Sequence, residues 1–279
     1  MFDKTLLKDK VIFVTGGGTG LGKSMALGFA ALGANIALCG RRKDVLEKAA
    51  KEISQKGAQV FFDTCDVRKP DEVQKVVDGI FQKFGRLDGL VNNAAGNFIC
   101  PTEYLSPNGF DAIVRIVLHG TFHCTQAVAK KWIAGGTGGR VLNICTTYAW
   151  TGSGFVVPSA CAKAGVLAMT RSLAVEWAKY NIRLNAIAPG PFKTEQAWAN
   201  LVPKSIENKM LARNPLHRTG DHQELINLAC FMMADGVDYI NGECVTIDGG
   251  EWLQGAGEFN SLLDLTPEEW MEMKSKSGR

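Results

Sequence analysis

Two rhythms of apolar and polar positions alternate along the chain. Short β-rich runs, VIFV (11–14), NIAL (35–38), QVFF (59–62), LDGLVNN (87–93), RVLNI (140–144), IRLNAIAP (182–189) and CVTI (244–247), are separated by segments with helical spacing. In Asp44–Gln55 the residues Val45, Leu46, Ala49, Ala50 and Ile53 form one stripe. Pro70–Phe84 opens on Pro–Asp–Glu, a helix start, and carries Val73, Val76, Val77 and Ile80. Strands alternating with helices predict an α/β fold: a doubly wound parallel sheet covered by helices on both faces, in three α/β/α layers. No internal repeat or linker-like break divides the chain, so one domain is expected over 1–255. It would include a substrate loop at about 190–222, with a C-terminal extension over 256–279. In that extension TPEEW begins a short helix, expected to dock before a frayed end.

Composition narrows this picture. At 279 residues and 46% hydrophobic, the chain can bury one large core. A net charge of +3 gives no argument for nucleic acid and only mildly favours anionic ligands. Of the eight cysteines no two form C-x-x-C and most lie in apolar runs, which reads as reduced, buried thiols of a cytosolic-type compartment. The start MFDKTLLKDKVIFVTG reaches the first strand within ten residues, so no signal or transit peptide is expected. No apolar stretch is long enough for a bilayer. A cytoplasmic chain without a membrane partner is the expectation. His119 and His123 are four apart on a helix, a metal-compatible spacing, but no third ligand is near in sequence and no metal site is expected.

Candidate chemistry begins at VIFVTGGGTGLGKSMALGFAALGA, where a strand feeds through Gly16, Gly17, Gly18, Gly20 and Gly22 into a helix. Glycines there let the backbone turn sharply and approach a pyrophosphate held on the free N–H groups of the helix start. Gly17–Ser24 also matches G-x-x-x-x-G-K-S formally, but the rest of the chain offers dinucleotide features rather than a magnesium carboxylate. The second strand ends in Cys39-Gly40-Arg41-Arg42. With no acid to repel a 2′-phosphate and two guanidiniums to clamp it, the expected cofactor is NADPH.

T-G-x-x-x-G-x-G at Thr15–Gly22, CDV at 65–67, NNAAG at 92–96, Lys163 in a small-residue helix and PGP at 189–191 occur in an order that resembles the short-chain dehydrogenase/reductase family. The resemblance covers nearly the whole chain and implies a Rossmann-type fold. It places Gly16, Thr19, Gly20, Leu21 and Gly22 on the pyrophosphate and Asp66 and Val67 beside the adenine. Asn93, Ala94 and Gly96 would line the cofactor, and Pro189, Gly190 and Phe192 the nicotinamide amide. Lys163 would bind the nicotinamide ribose. Most members set a tyrosine four residues before that lysine. Here the position is Ser159, the usual serine position is Thr146, and the asparagine of V-N-L-x-G is Val117. Among the four tyrosines, Tyr180 lies at the far end of the Lys163 helix, about 25 Å away, and Tyr104 and Tyr239 lie in other loops. Only Tyr148 follows the C-terminal end of a central strand.

A displaced acid fits a displaced oxyanion. In a conjugated thioester, hydride adds to a distant alkene carbon and charge flows to the thioester oxygen. NNAAGNF, TTYA and TGSGFVVPSACAKAG resemble the mitochondrial-type 2,4-dienoyl-CoA reductases of the family, which implies that Tyr148 and Asn97 hold that oxygen while Ser159 and Lys163 support the cofactor site. By the same resemblance Arg68, Phe98 and Ser106 contact CoA, a further CoA arginine is replaced near Asn200, and the chain assembles as a homotetramer. Trp198, Met210, Trp252 and Trp270 read as core or acyl-pocket lining. The implied reaction is NADPH-dependent reduction of a 2,4-dienoyl-CoA to a 3-enoyl-CoA, as in unsaturated fatty acid β-oxidation, with the proton from water or Tyr148. Two other readings stay open: a reductase of enoyl or 3-oxoacyl thioesters, and a non-catalytic NADPH-binding protein.

Overall fold

A computed structural model of the chain describes residues 1–194 and 204–276. Its strands, β1 (Val11–Thr15), β2 (Asn35–Gly40), β3 (Val60–Thr64), β4 (Gly89–Asn92), β5 (Gly139–Ile144), β6 (Ile182–Pro189) and β7 (Cys244–Ile247), form one sheet in the order β3-β2-β1-β4-β5-β6-β7, every pair parallel. Each strand matches a run read from the sequence. The helices are α1 (Gly20–Ala31), α2 (Lys43–Ser54), α3 (Pro70–Phe84), α4 (Pro107–Val114), α5 (Gly120–Gly135), α6 (Tyr148–Thr151), α7 (Val157–Glu176), α8 (Lys204–Arg213), α9 (His222–Met233), α10 (Glu251–Ala256) and α11 (Pro267–Lys276).

The inner strands β1, β2, β4, β5 and β6 are largely buried on both faces while the edge strands β3 and β7 are half-buried, and period-two alternation sorts their side chains between two cores. On one face Ile12 and Val14 of β1 pack with Phe29 of α1, Leu46 and Ile53 of α2, and Leu225 of α9. On the other, Val11 and Phe13 pack with Val73 and Val77 of α3 and with Val128 and Trp132 of α5. Trp132 is fully buried, its indole N–H donating to the Leu87 carbonyl at 2.6 Å. Strand order reverses between β1 and β4, so the loops leaving those two strands diverge to opposite sides and open a crevice at the carboxyl edge of the sheet.

Two expectations change. Tyr180 lies in a 3-10 turn, Ala178–Tyr180, because α7 ends at Glu176. The C-terminal helix forms as α11, but instead of being buried its apolar side chains stay about half exposed or more among the described residues: Trp270, Met271 and Met273 are 46%, 64% and 46% exposed. Trp198, Asn200 and the middle of the expected substrate loop lie outside the described residues.

Candidate functional site

The crevice is built from the β1 end outward. Thr15 Oγ1 accepts the main-chain N–H groups of Asn93 and Ala94, both at 3.0 Å, and Asn93 Nδ2 donates to the Thr15 carbonyl at 3.1 Å. This crosslink draws the loop after β4 against the glycine turn. Gly16 takes φ +64°, and a Cβ on Gly22 would come within 2.4 Å of Asn93 Nδ2, so the close approach requires both glycines. Thr19 precedes α1 without capping it through its side chain, and no acid occupies the first turn. The N–H groups of the α1 start are therefore available to an anion.

A cavity of about 280 Å³ opens there, lined by Gly16, Thr19, Arg41, Arg42, Asp66, Val67, Asn93 and Ala94. Arg41 and Arg42 are exposed and make no ion pair among the described residues. The Asp66 carboxylate accepts Arg68 Nε at 2.9 Å on both oxygens, a bond that holds its carboxyl below the usual range. An anion-ready helix start, a glycine cradle and two unpaired guanidiniums fit a nicotinamide dinucleotide. The formal P-loop match is used otherwise: Lys23 pairs with Glu52 of α2 at 2.5 Å.

Beyond β5 the chain turns through one-turn α6 and ends it at Gly152, φ +70°. Pro158 then opens α7. These two elements bring Tyr148 Oη within 3.0 Å of Ser159 Oγ. Ser159 is 2% exposed. Burial pushes the Tyr148 phenol above its usual pKa, with hydrogen bonds to Ser159 and Thr146 opposing. One turn along α7, the buried Lys163 donates to the Ile144 carbonyl at the end of β5. Burial pulls its ammonium below the usual lysine range, opposed by attraction to Cys145. Val117 is fully buried against Ala162 and Val166 of α7, so its position adds packing rather than a polar relay.

Asn97 reaches the same space from the loop after β4. Its Oδ1 accepts the Phe98 N–H at 2.9 Å, which leaves Nδ2 as a donor with no partner among the described residues. The Cys100 N–H donates to the Phe155 carbonyl at 2.9 Å and ties this loop to the segment between α6 and α7. Asn97, Thr146, Tyr148, Pro189, Gly190 and Phe192 line a cavity of about 740 Å³, within the range of small-molecule sites. Two half-exposed aromatics, Trp150 and Trp252, meet edge to face beside it at 5.8 Å.

Not every expected residue joins it. Arg68 pairs with Asp66, Ser106 Oγ caps α4 by accepting the Gly109 N–H at 3.1 Å, and Phe98 packs near Gly109. None of the three lines the large cavity. Gly96 sits against Ile113 and Ile116. His119 and His123 stack edge to face at 6.3 Å, and His123 Nδ1 bonds the Val67 carbonyl; no cluster among the described residues is arranged for a metal. Arg213 and Glu251, absent from the sequence reading, join Met210 and Trp252 in the wall. Burial raises the Glu251 carboxyl, with Arg213 opposing. No spacing signal marks these two, because α8 and α10 meet only in the folded chain. All eight cysteines are free thiols.

The family model described as Enoyl-(Acyl carrier protein) reductase matches residues 16–251. The chain is 46% identical over 252 residues to a Bacillus subtilis (strain 168) protein named a probable 2,4-dienoyl-CoA reductase, (2E)-enoyl-CoA-producing, covering 88% of this chain and 98% of that protein. It is 45% identical over 250 residues to a Caenorhabditis elegans protein named probable 2,4-dienoyl-CoA reductase 3, (3E)-enoyl-CoA-producing, covering 88% and 81%. The crystal structure of a short chain dehydrogenase from Bacillus anthracis superposes with a TM-score of 0.81 at 47% identity, covering 88% of this chain and 98% of that one.

Proposed function

The chain belongs to the short-chain dehydrogenase/reductase family, and we propose that within it this oxidoreductase reduces 2,4-dienoyl-CoA thioesters with NADPH to 3-enoyl-CoA. The observation that carries this reading is the Tyr148–Ser159 contact at 3.0 Å, with Asn97, whose Nδ2 has no partner among the described residues, lining the same cavity as Tyr148. Both residues line that cavity and would each offer a donor to a thioester oxygen bound there, while the position of the ordinary ketone-reducing tyrosine holds a buried serine.

When bound, NADPH would supply the hydride that C5 of the dienoyl group accepts. Gly16–Gly22 would hold its pyrophosphate, Asp66 and Val67 its adenine, Arg41 and Arg42 its 2′-phosphate, Asn93, Ala94, Gly96 and Lys163 its ribose side, and Pro189–Phe192 its amide. Charge passes along the conjugated chain to the thioester oxygen, where Tyr148 and Asn97 stabilise it by hydrogen bonds that strengthen as the anion forms. A proton from Tyr148, or from a water held by the Tyr148–Ser159 pair, then reaches C2 and leaves the C3=C4 double bond. Protonation at C4 would instead leave C2=C3, the product in the name of the Bacillus subtilis relative. Arg68, Phe98 and Ser106 would meet CoA outside the large cavity. The reductase domain would span 1–255, in a homotetramer, with β-oxidation of unsaturated acyl chains as its setting.

NADPH oxidation is measured in parallel with 2,4-hexadienoyl-CoA, crotonyl-CoA and acetoacetyl-CoA, and the dienoyl product is read by proton NMR. Turnover of the dienoyl thioester alone, with the double bond at C3, is the expected result. Preferred turnover of acetoacetyl-CoA would overturn the reading.

A further inference from the structure

Away from the reacting groups, one imidazole joins the loop after β6 to the helix that starts at the glycine turn. His222, the first residue of α9, has both ring nitrogens engaged. Nδ1 lies 2.7 Å from Ser24 Oγ on α1, and Nε2 lies 2.7 Å from the Lys193 carbonyl. A carbonyl only accepts, so Nε2 carries a proton, and in the neutral ring Nδ1 accepts from the Ser24 hydroxyl, whose single proton is shared between this shorter contact and the Gly20 carbonyl at 3.1 Å. The ring also meets Phe192 edge-on at 6.5 Å. Phe192 in turn lies on Gly220, where a Cβ would come within 2.3 Å of it.

The neighbouring residues are held in the same way. The Lys193 ammonium pairs with Glu207 of α8 at 2.7 Å, and the Thr194 methyl lies 3.5 Å from where a Gly20 Cβ would stand. Residues 192–194 are thereby fastened to α9, α8 and the start of α1. Ser24, the last residue of the formal P-loop match, thus links the imidazole to the first turn of α1, its hydroxyl lying 2.7 Å from His222 Nδ1 and 3.1 Å from the Gly20 carbonyl.

Resting on the reading of Gly16–Gly22 and Pro189–Phe192 as the two sides of the NADPH cleft, we propose that Ser24 and His222 form a clasp that sets the separation between the pyrophosphate end and the nicotinamide end. Both are positioning residues acting through the Lys193 main chain. Without the clasp the Lys193 carbonyl turns to water and the loop after β6 gains conformations that NADPH must suppress on binding. The hydride donor is also aimed less well, and small displacements of reacting atoms cost rate.

The test is fluorescence titration of NADPH, with steady-state kinetics, on the wild-type chain, Ser24→Ala, His222→Phe, the double variant and His222→Gln. Ser24→Ala and His222→Phe are each expected to raise Kd and KM for NADPH about fivefold, the worth of one hydrogen bond, with KM for the acyl thioester unchanged. In the double variant the effects do not add, because one chain of bonds is broken twice. His222→Gln, whose amide can donate to the Lys193 carbonyl, recovers most of the affinity. Lower melting temperatures with wild-type NADPH affinity, or additive effects, would reduce the pair to a structural role and overturn the clasp alone. A wild-type chain without NADPH affinity would overturn the cofactor reading and the clasp with it.

Discussion

The Tyr148 and Ser159 hydroxyls stand 3.0 Å apart although they come from separate elements, a one-turn helix after β5 and the first turn of α7. The phenol thus reaches the position four residues before Lys163 from outside the helix. Its partner is a small alcohol, so a substrate oxygen can approach the phenol from the cavity side.

Tyr148→Phe is expected to lower kcat on a dienoyl thioester by about 10²–10³, the loss typical of one oxyanion donor, while NADPH affinity stays within about twofold. Ser159→Ala leaves the buried phenol without its oriented partner and should cost roughly tenfold, below the loss of a positioned donor itself. Steady-state rates with NADPH fluorescence titrations check both. Unchanged turnover in Tyr148→Phe would remove the phenol from the mechanism.

Asn97 separates donor from acceptor. Asn97→Asp keeps the Oδ1 that accepts the Phe98 N–H but replaces the Nδ2 donor with a second carboxylate oxygen facing the developing anion. Its kcat should fall by more than about 10², further than Asn97→Ala, with the melting temperature nearly unchanged. The same two variants, ranked by rate and by thermal unfolding, check this order.

Arg41 and Arg42 should govern the choice between nicotinamides. Charge-assisted hydrogen bonds contribute about 1.5–3 kcal/mol each. Both side chains are exposed, so the lower part of that range applies. Arg41→Ala/Arg42→Ala should weaken NADPH by about 10² and leave NADH within threefold. Paired titrations with the two cofactors decide it, and equal loss for both would refute a 2′-phosphate clamp.

The pH profile follows from two shifts of opposite sign. Burial lowers Lys163 and raises Tyr148, so with rising pH the ammonium is lost first, below the usual lysine value, while the phenol keeps its proton beyond its usual value. The alkaline limb of kcat/KM should therefore belong to Lys163 and persist in the residual activity of Tyr148→Phe. For stability the sign is reversed. The folded chain binds the Lys163 proton more weakly than the unfolded chain, so this group opposes folding below its folded pKa, and the opposition fades as pH rises toward the usual lysine value. Lys163→Met should lose activity yet melt at or above the wild-type temperature near neutral pH, as differential scanning calorimetry would show.

The alternation of strands and helices was legible in the sequence because each pattern is local: the apolar runs of β1–β7 and the stripes of α2 and α3 are written within a few turns of chain. The glycine turn, the basic end of β2 and the serine at 159 are local in the same way. The exposure of α11 was not legible, because TPEEW encodes a helix start and nothing about what covers the helix.

The sequence by itself determined the layer order, the dinucleotide-type turn and the absence of a tyrosine one turn before Lys163. Contacts between separate elements set the rest: Tyr148 meets Ser159, Asn97 lines the same cavity as Tyr148, and Arg213 and Glu251 join its wall. The physical reason is reach. Propensity and periodicity act over neighbours along the chain, whereas these contacts join separate elements, α6 to α7 within one crossover and segments following β4, β5, β6 and β7 around one cavity, and the side chains that meet are set by sheet order and crossover packing.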